Sequence, residues 1–176
     1  SGFCLTGDIS PSYAVLSPNQ LREIKNKILS IGAVVKCIYL MRDPFERCWS
    51  ALRMNYRLNQ VRGSEEAGLR RVYASSQWRA RTRYDMVCEN LKLVFMESEL
   101  YFGFYENMFL ETEIIRLSEF LGVQPNISHA NTRVGVSEKK QRVSNNLKME
   151  IKDYYADVYN YCFKNFPITK NLWGSQ

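Results

Sequence analysis

The chain has one histidine in 176 residues, and its five cysteines form no C-x-x-C pair. Zinc and similar metals need several nitrogen or sulfur ligands at close spacing, so metal chemistry has little here to work with. No G-K-[ST] turn occurs, which removes the ordinary phosphate loop. No run approaches the roughly 18 consecutive apolar residues that a spanning helix needs. The N-terminus also lacks the basic, apolar and small-residue zones of a signal peptide. Lysine is missing from Arg42 to Arg83, where ten arginines face only Asp43, Glu46, Glu65 and Glu66. That segment alone carries the chain's formal charge of +6. The arginine fork suits bidentate contact with phosphate and sulfate, so an anionic ligand or polyanionic acceptor is expected, against the plainer reading of a solvated helical face. The basic residues are not interleaved with aromatics as stacking platforms, which argues against nucleic acid.

An apolar content of 45% is enough for a sizeable core, and residues 1–176 read as a single globular domain. Cys4, Cys37, Cys48, Cys88 and Cys162 are odd in number, and two fall within apolar elements. They read as buried free thiols in a reducing compartment, hence cytoplasmic, or the Golgi lumen if a membrane anchor lies upstream. Nothing in the sequence fixes an oligomeric state.

The chain is organised around Val34 to Met54. Val34, Val35, Ile38, Tyr39, Leu40 and Met41 form an apolar run suited to a strand covered on both faces, as in a parallel sheet. The strand ends at Arg42. Asp43 reads as an N-cap, Pro44 as the first helical residue, and Glu46 stands where it reaches back to complete a capping box. Phe45, Cys48, Trp49, Leu52 and Tyr56 then share one helical side, with Arg47, Ser50 and Arg53 on others. Arg42 thus sits at the carboxyl end of a parallel strand beside a helix N-terminus. Free N–H groups, the helix dipole and an arginine together favour a phosphate or sulfate there.

This stretch resembles the 3′-phosphate-binding segment of sulfotransferases that use 3′-phosphoadenosine 5′-phosphosulfate (PAPS), written R-D-P-x-x-R-x-x-S after a strand. Arg42, Asp43, Pro44, Arg47 and Ser50 fill every named position. The resemblance implies that Arg42 and Ser50 hold the 3′-phosphate, with Arg47 a further cofactor-binding candidate. It also implies a fold: an α/β domain with a mostly parallel sheet flanked by helices, of the sulfotransferase type within the P-loop nucleotide-binding architecture.

Upstream, Gly7, Asp8, Ser10 and Pro11 are turn formers, so a short strand before Gly7 and a loop after it are expected. The segment resembles the G-E-K-[ST]-P-x-Y loop of heparan-type carbohydrate sulfotransferases. Gly7, Ser10, Pro11 and Tyr13 match, Asp8 replaces the glutamate and Ile9 replaces the lysine. In that family the loop borders the acceptor pocket, which nominates Ser10 and Tyr13. Ser17, Pro18 and Gln20 start a helix with Leu21, Ile24, Ile28 and Ile31 on its apolar stripe and Gly32 at its end. Its length suits a crossover between two strands.

Past the central helix, Asn59 to Ala74 reads as a mobile loop or short helix positioned to meet the acceptor. Ser76 to Lys92 reads as one amphipathic helix carrying Tyr84, Val87, Cys88 and Leu91, with Trp78 near its start. Trp78 and Tyr84 either face the core or line the acceptor cleft. Leu100 to Glu106 is a second strand, its Gly103 allowing close backbone approach. A helix capped by Thr112 and ended by Gly122 follows it. The run from this strand to the F-L-G helix resembles the corresponding part of many sulfotransferases, and Glu106 reads as either a catalytic carboxylate or a local cap.

Gln124 to Asn146 is a second basic loop, resembling in order and charge the loop that closes the family's cofactor site. Arg133, Lys139 and Lys140 are its candidates for cofactor contact, while His129 reads as a loop residue. A last helix is expected from about Leu147 to Phe163.

The K-x-G-T-T turn with which the family grips the 5′-phosphosulfate does not occur in this sequence. The resemblance therefore implies a sulfotransferase-like domain lacking its first strand-loop-helix unit, and it assigns no catalytic base. The implied reaction is sulfuryl transfer from PAPS to a hydroxyl or amine acceptor, a carbohydrate. The alternative is a module that binds a nucleotide or polyanion in the same crevice without turnover.

Overall fold

A computed structural model of the chain describes residues 5–128, 130–132 and 143–174. Two strands form its sheet among the described residues: β1 (Cys37–Met41) and β2 (Leu100–Phe104). They pair in parallel, from Cys37 opposite Leu100 to Met41 opposite Phe104. Between them run four helices, α2 (Pro44–Arg57), α3 (Glu65–Val72), α4 (Ser76–Thr82) and α5 (Tyr84–Lys92), after α1 (Pro18–Ser30). Beyond β2 come α6 (Glu111–Leu121), α7 (Asn145–Tyr154), α8 (Ala156–Asn165) and α9 (Ile168–Trp173).

The second face of the sheet is covered over β2, where Phe120 of α6 packs on Tyr101 at 5.3 Å, but not over β1. Side chains alternate along a strand, so Tyr39 and Met41 turn inward while Ile38 and Leu40 remain 40% and 45% exposed. A continuous apolar run reads as buried on both sides because it carries no period-two signal. On the inner side, Met41 and Phe104 join Phe45, Cys48, Trp49 and Leu52 of α2 and the apolar faces of α7, α8 and α9 in one core. A smaller core ties Leu21 of α1 to Val87 and Leu91 of α5, and Tyr39 and Phe102 touch both. Gly103 lies opposite Leu40, where an added Cβ would come within 2.6 Å of the leucine Cδ2, so the close approach expected there is real.

Helix α1 begins with the expected capping box, Ser17 and Gln20 each accepting the other's backbone N–H. Gly32 follows at φ 77°, but Ile31 lies beyond the helix and points to solvent. No strand occupies Leu5 and Thr6, so α1 is not a crossover between strands among the described residues; a 3-10 turn over Pro11–Val15 stands before it. Asn59 to Ala74 contains α3, capped by Ser64 and packed on α2 with Gly68 against Leu52 and Tyr56. The predicted helix over Ser76 to Lys92 is two, broken at Arg83 where ψ reaches 68°. The predicted last helix is likewise divided at Tyr155. Helix α6 starts at Glu111 with Leu110 in the cap position rather than Thr112, and Gly122 ends it at φ 71°. Of the cysteines, Cys48, Cys88 and Cys162 are buried free thiols, Cys37 is half-buried, and Cys4 lies outside the described residues. Burial pushes the Cys88 thiol up to about 12, which keeps it protonated and unreactive. No helix among the described residues is long and apolar enough to cross a membrane.

Candidate functional site

The end of β1 delivers Arg42 to the start of α2, and three neighbours fix its backbone. Tyr84 donates its hydroxyl to the Arg42 carbonyl at 2.8 Å. Glu106, just past β2, accepts the N–H of Asp43 at 3.0 Å. Asp43 Oδ1 caps the helix by accepting from the Glu46 N–H at 2.9 Å. The capping box foreseen for Asp43 and Glu46 is thus only half formed. Glu106 takes the amide that Glu46 was to hold, and Glu46 turns instead to Arg42, Oε2 to Nη2 at 3.1 Å.

The helix N-terminus is closed to a ligand. Pro44 has no N–H, Phe45 donates to the Tyr159 hydroxyl at 3.4 Å, Glu46 donates to Asp43, and Arg47 donates to the Asp43 carbonyl at 2.8 Å. Two carboxylates, Asp43 and Glu106, already sit against the positive end of the dipole. The backbone cradle expected from the sequence is therefore spent on the protein itself, and only side chains there could meet an anion.

Those side chains lie along the flank of α2. The Arg42 guanidinium stacks on the Tyr105 ring at 4.3 Å and keeps its side chain 21% exposed. It folds back toward Glu46, and positions 46, 50 and 53 share one helical face. Ser50, half-buried, comes next on that face, one turn beyond Glu46. Arg53 follows, and it is not on a solvated face: it is 6% exposed and stacks on Trp49 at 4.6 Å. Its Nε and Nη1 are buried without a hydrogen-bond partner. Burial pushes the Arg53 guanidinium below its ordinary value, the charges of Glu46 and Glu65 opposing that shift and Arg42 adding to it. Sequence reading missed Arg53 because an arginine at an i+7 position from Glu46 carries no mark of burial.

Arg47 points elsewhere. Its Nη1 donates to Thr82 Oγ1 at 3.0 Å and toward the Trp78 carbonyl at 3.5 Å, tying α2 to α4. Trp78 and Tyr84 are core side chains, 9% and 3% exposed. Ser10 caps the 3-10 turn by accepting from the Ser12 N–H, and Tyr13 on that turn donates to Asp8 just before it. That turn packs on α4. Beside it a cavity of about 350 Å³ is lined by Val15, Leu16, Arg79, Ala80, Arg83 and Met86 among others, and by none of the four residues nominated for the acceptor. Arg133, Lys139, Lys140 and His129 lie outside the described residues. No group of three or more potential metal ligands occurs among the described residues.

No protein-family model matches the chain, and no curated protein does. Among solved structures, it is similar to a crystal structure of a sulfotransferase from Alicyclobacillus acidocaldarius, with a TM-score of 0.59 at 16% identity. The fold is sulfotransferase-like. The match covers 86% of this chain and 61% of that one, so the chain spans less than two thirds of the neighbour's length. At this identity the likeness is one of fold. Heparan-type specificity gains nothing from it.

Proposed function

We propose that this domain binds the 3′-phosphate half of PAPS along the flank of α2 and serves sulfuryl transfer to a hydroxyl or amine acceptor, a carbohydrate. The observation that carries the proposal is the Arg42 side chain. It is partly exposed at the end of a parallel strand, its own carbonyl is held by Tyr84, and it contacts Glu46, one turn before Ser50 on α2. A guanidinium and a hydroxyl are the donors a phosphate monoester takes, and the sulfotransferase-like fold supports the same reading. PAPS, when bound, supplies an activated sulfuryl group. The acceptor oxygen or nitrogen would bond to sulfur as the sulfur–oxygen bond to the 5′-phosphate breaks, releasing 3′-phosphoadenosine 5′-phosphate and, to solvent, the acceptor's proton. Such chemistry rests on positioning and on stabilising charge on the transferred group.

Arg133, Lys139 and Lys140 are proposed to complete the cofactor site, and Ser10 and Tyr13 to border the acceptor. The 5′-phosphosulfate half is proposed to come from a strand-loop-helix unit that this sequence does not contain. The reading is tested by calorimetry with 3′-phosphoadenosine 5′-phosphate, the desulfonated product, against adenosine 5′-phosphate. Tighter binding of the first, with stabilisation of roughly 2.7 kcal/mol at about a hundredfold excess over Kd, is expected. Equal melting shifts from the two nucleotides would overturn it. Binding of PAPS without transfer to any carbohydrate, when the upstream unit is also present, would instead point to the non-catalytic module.

A further inference from the structure

Arg53 presents buried guanidinium nitrogens with no acceptor, an arrangement that costs free energy unless something compensates it. Solvent does not reach Nε or Nη1 in this arrangement, so an acceptor for them has to come from a side chain that moves within the fold. Glu65 holds the Trp49 indole N–H at 2.6 Å. Glu46 stands two turns before Arg53 on the same face, with Ser50 between them, and its charge acts on Arg53 even while its Oε2 contacts Arg42. Glu46 thus lies in the field of two guanidinium groups, and it occupies Arg42 Nη2, a nitrogen that an incoming phosphate would use.

From this arrangement we infer that Glu46 and Arg53 are positioning residues of the anion site: Glu46 competes for Arg42 while the site is empty and passes to Arg53 when an anion takes its place. An anion on Arg42 brings like charge against Glu46, and that repulsion is relieved by a swing up the helix to the unpaired nitrogens of Arg53. The inference rests on the proposed α2-flank anion site and adds to it the residues that govern its occupancy.

The test is a double-mutant cycle read by calorimetry with 3′-phosphoadenosine 5′-phosphate. Glu46→Gln removes the competitor and should tighten binding about two- to fivefold, the range of a partly exposed ion pair. Arg53→Met removes the receiver and should weaken binding by a similar factor. In the Glu46→Gln background, Arg53→Met should change nothing, because no carboxylate then needs a new partner. If Arg53→Met weakens binding equally in both backgrounds, Arg53 contacts the anion directly and the handover is wrong. If Arg53→Met fails to fold, Glu46→Gln still decides: unchanged or weaker binding overturns the inference. Wild-type protein that does not distinguish this nucleotide from adenosine 5′-phosphate sinks the anion site itself. Wild-type discrimination with an inert Glu46→Gln sinks only the handover.

Discussion

The carboxylate of Glu106 accepts the N–H of Asp43 at 3.0 Å and so joins the end of β2 to the turn that leaves β1. Both groups sit where the two parallel strands deliver their carboxyl ends, and Tyr105 between them and Arg42 adds a second tie by donating its N–H to the Met41 carbonyl at 2.8 Å. The position of Arg42 is therefore a property of the strand pair.

Removing that tie should be felt in stability. Glu106→Ala leaves the Asp43 N–H without its acceptor and should cost about 1–3 kcal/mol in urea unfolding. Glu106→Gln should cost less, since its amide oxygen still accepts the bond. If turnover of the protein supplied with PAPS and acceptor collapses in Glu106→Gln while stability holds, Glu106 is a catalytic carboxylate and more than a brace.

Asp43 supplies a prediction about pH. Burial raises its pKa above the ordinary 3.8, outweighing the bonds it accepts from the Glu46 N–H and the Tyr159 hydroxyl. A folded-state pKa above the unfolded one favours the protonated form in the fold. The associated stabilisation is complete below pH 3.8 and is lost as pH rises through the raised value. Asp43→Asn keeps the capping oxygen and has no such titration. Unfolding free energies of the two proteins should therefore shift in favour of the asparagine form between pH 3.8 and neutrality, then run parallel. A gap that stays constant over that range would show that Asp43 titrates alike in both states.

The local signals in the sequence were dependable where they rested on chemistry confined to a few residues. The Ser17 and Gln20 capping box, the Asp43 cap, and Gly32 and Gly122 at helix ends are each decided by neighbours in the chain. What failed was decided by distant partners. Glu46 forsakes its capping role because Glu106, sixty residues away in sequence, reaches the Asp43 amide first, and nothing in D-P-F-E announces it. Trp78, Tyr84 and Arg47 are drawn into one packed junction of α2, α4 and α5, whereas spacing alone left Trp78 and Tyr84 between the core and an acceptor cleft, and the motif offered Arg47 to the cofactor. For the site, the motif singled out Arg42 and Ser50, but gave no sign that the helix N–H groups were already taken.

The close packing of α3 on α2 gives a further check. A Cβ at Gly68 would stand 2.9 Å from the Tyr56 hydroxyl oxygen and 3.2 Å from Leu52 Cδ2. Leu52 is fully buried and Tyr56 donates to the Ser64 carbonyl at 2.9 Å, so neither retreats freely. Gly68→Ala should therefore destabilise by about 1–3 kcal/mol, against the roughly 1 kcal/mol gain that alanine brings to an unhindered helix. Tyr56→Phe removes the nearest atom and should recover part of the loss. A stabilised Gly68→Ala protein would mean that α3 is loosely held, as a mobile acceptor loop would be.

The final prediction separates a built site from a basic patch, since ten arginines crowd this region and any cluster attracts a bisphosphate. Arg42→Ala removes a charge-assisted contact and should weaken binding of 3′-phosphoadenosine 5′-phosphate by about ten- to a hundredfold, equivalent to roughly 1.5–3 kcal/mol. Ser50→Ala takes away one neutral donor to a charged acceptor and should fall between Arg42→Ala and wild type. Arg70 makes the control. It sits on α3, bonded to Glu150 at 2.6 Å and near Glu66, with its side chain 46% exposed. Its replacement should change affinity little, and what change there is should fade as salt rises, as exposed charges do beyond a Debye length of about 10 Å at 0.1 M. The Arg42 effect should persist at high salt, because a contact held between Tyr105 and the flank of α2 is only partly open to screening ions. Titrations of the four proteins at two salt concentrations decide the matter. Equal losses for Arg42→Ala and Arg70→Ala, both vanishing at high salt, would mean that the arginines act as a diffuse field and that the flank of α2 holds no phosphate of its own.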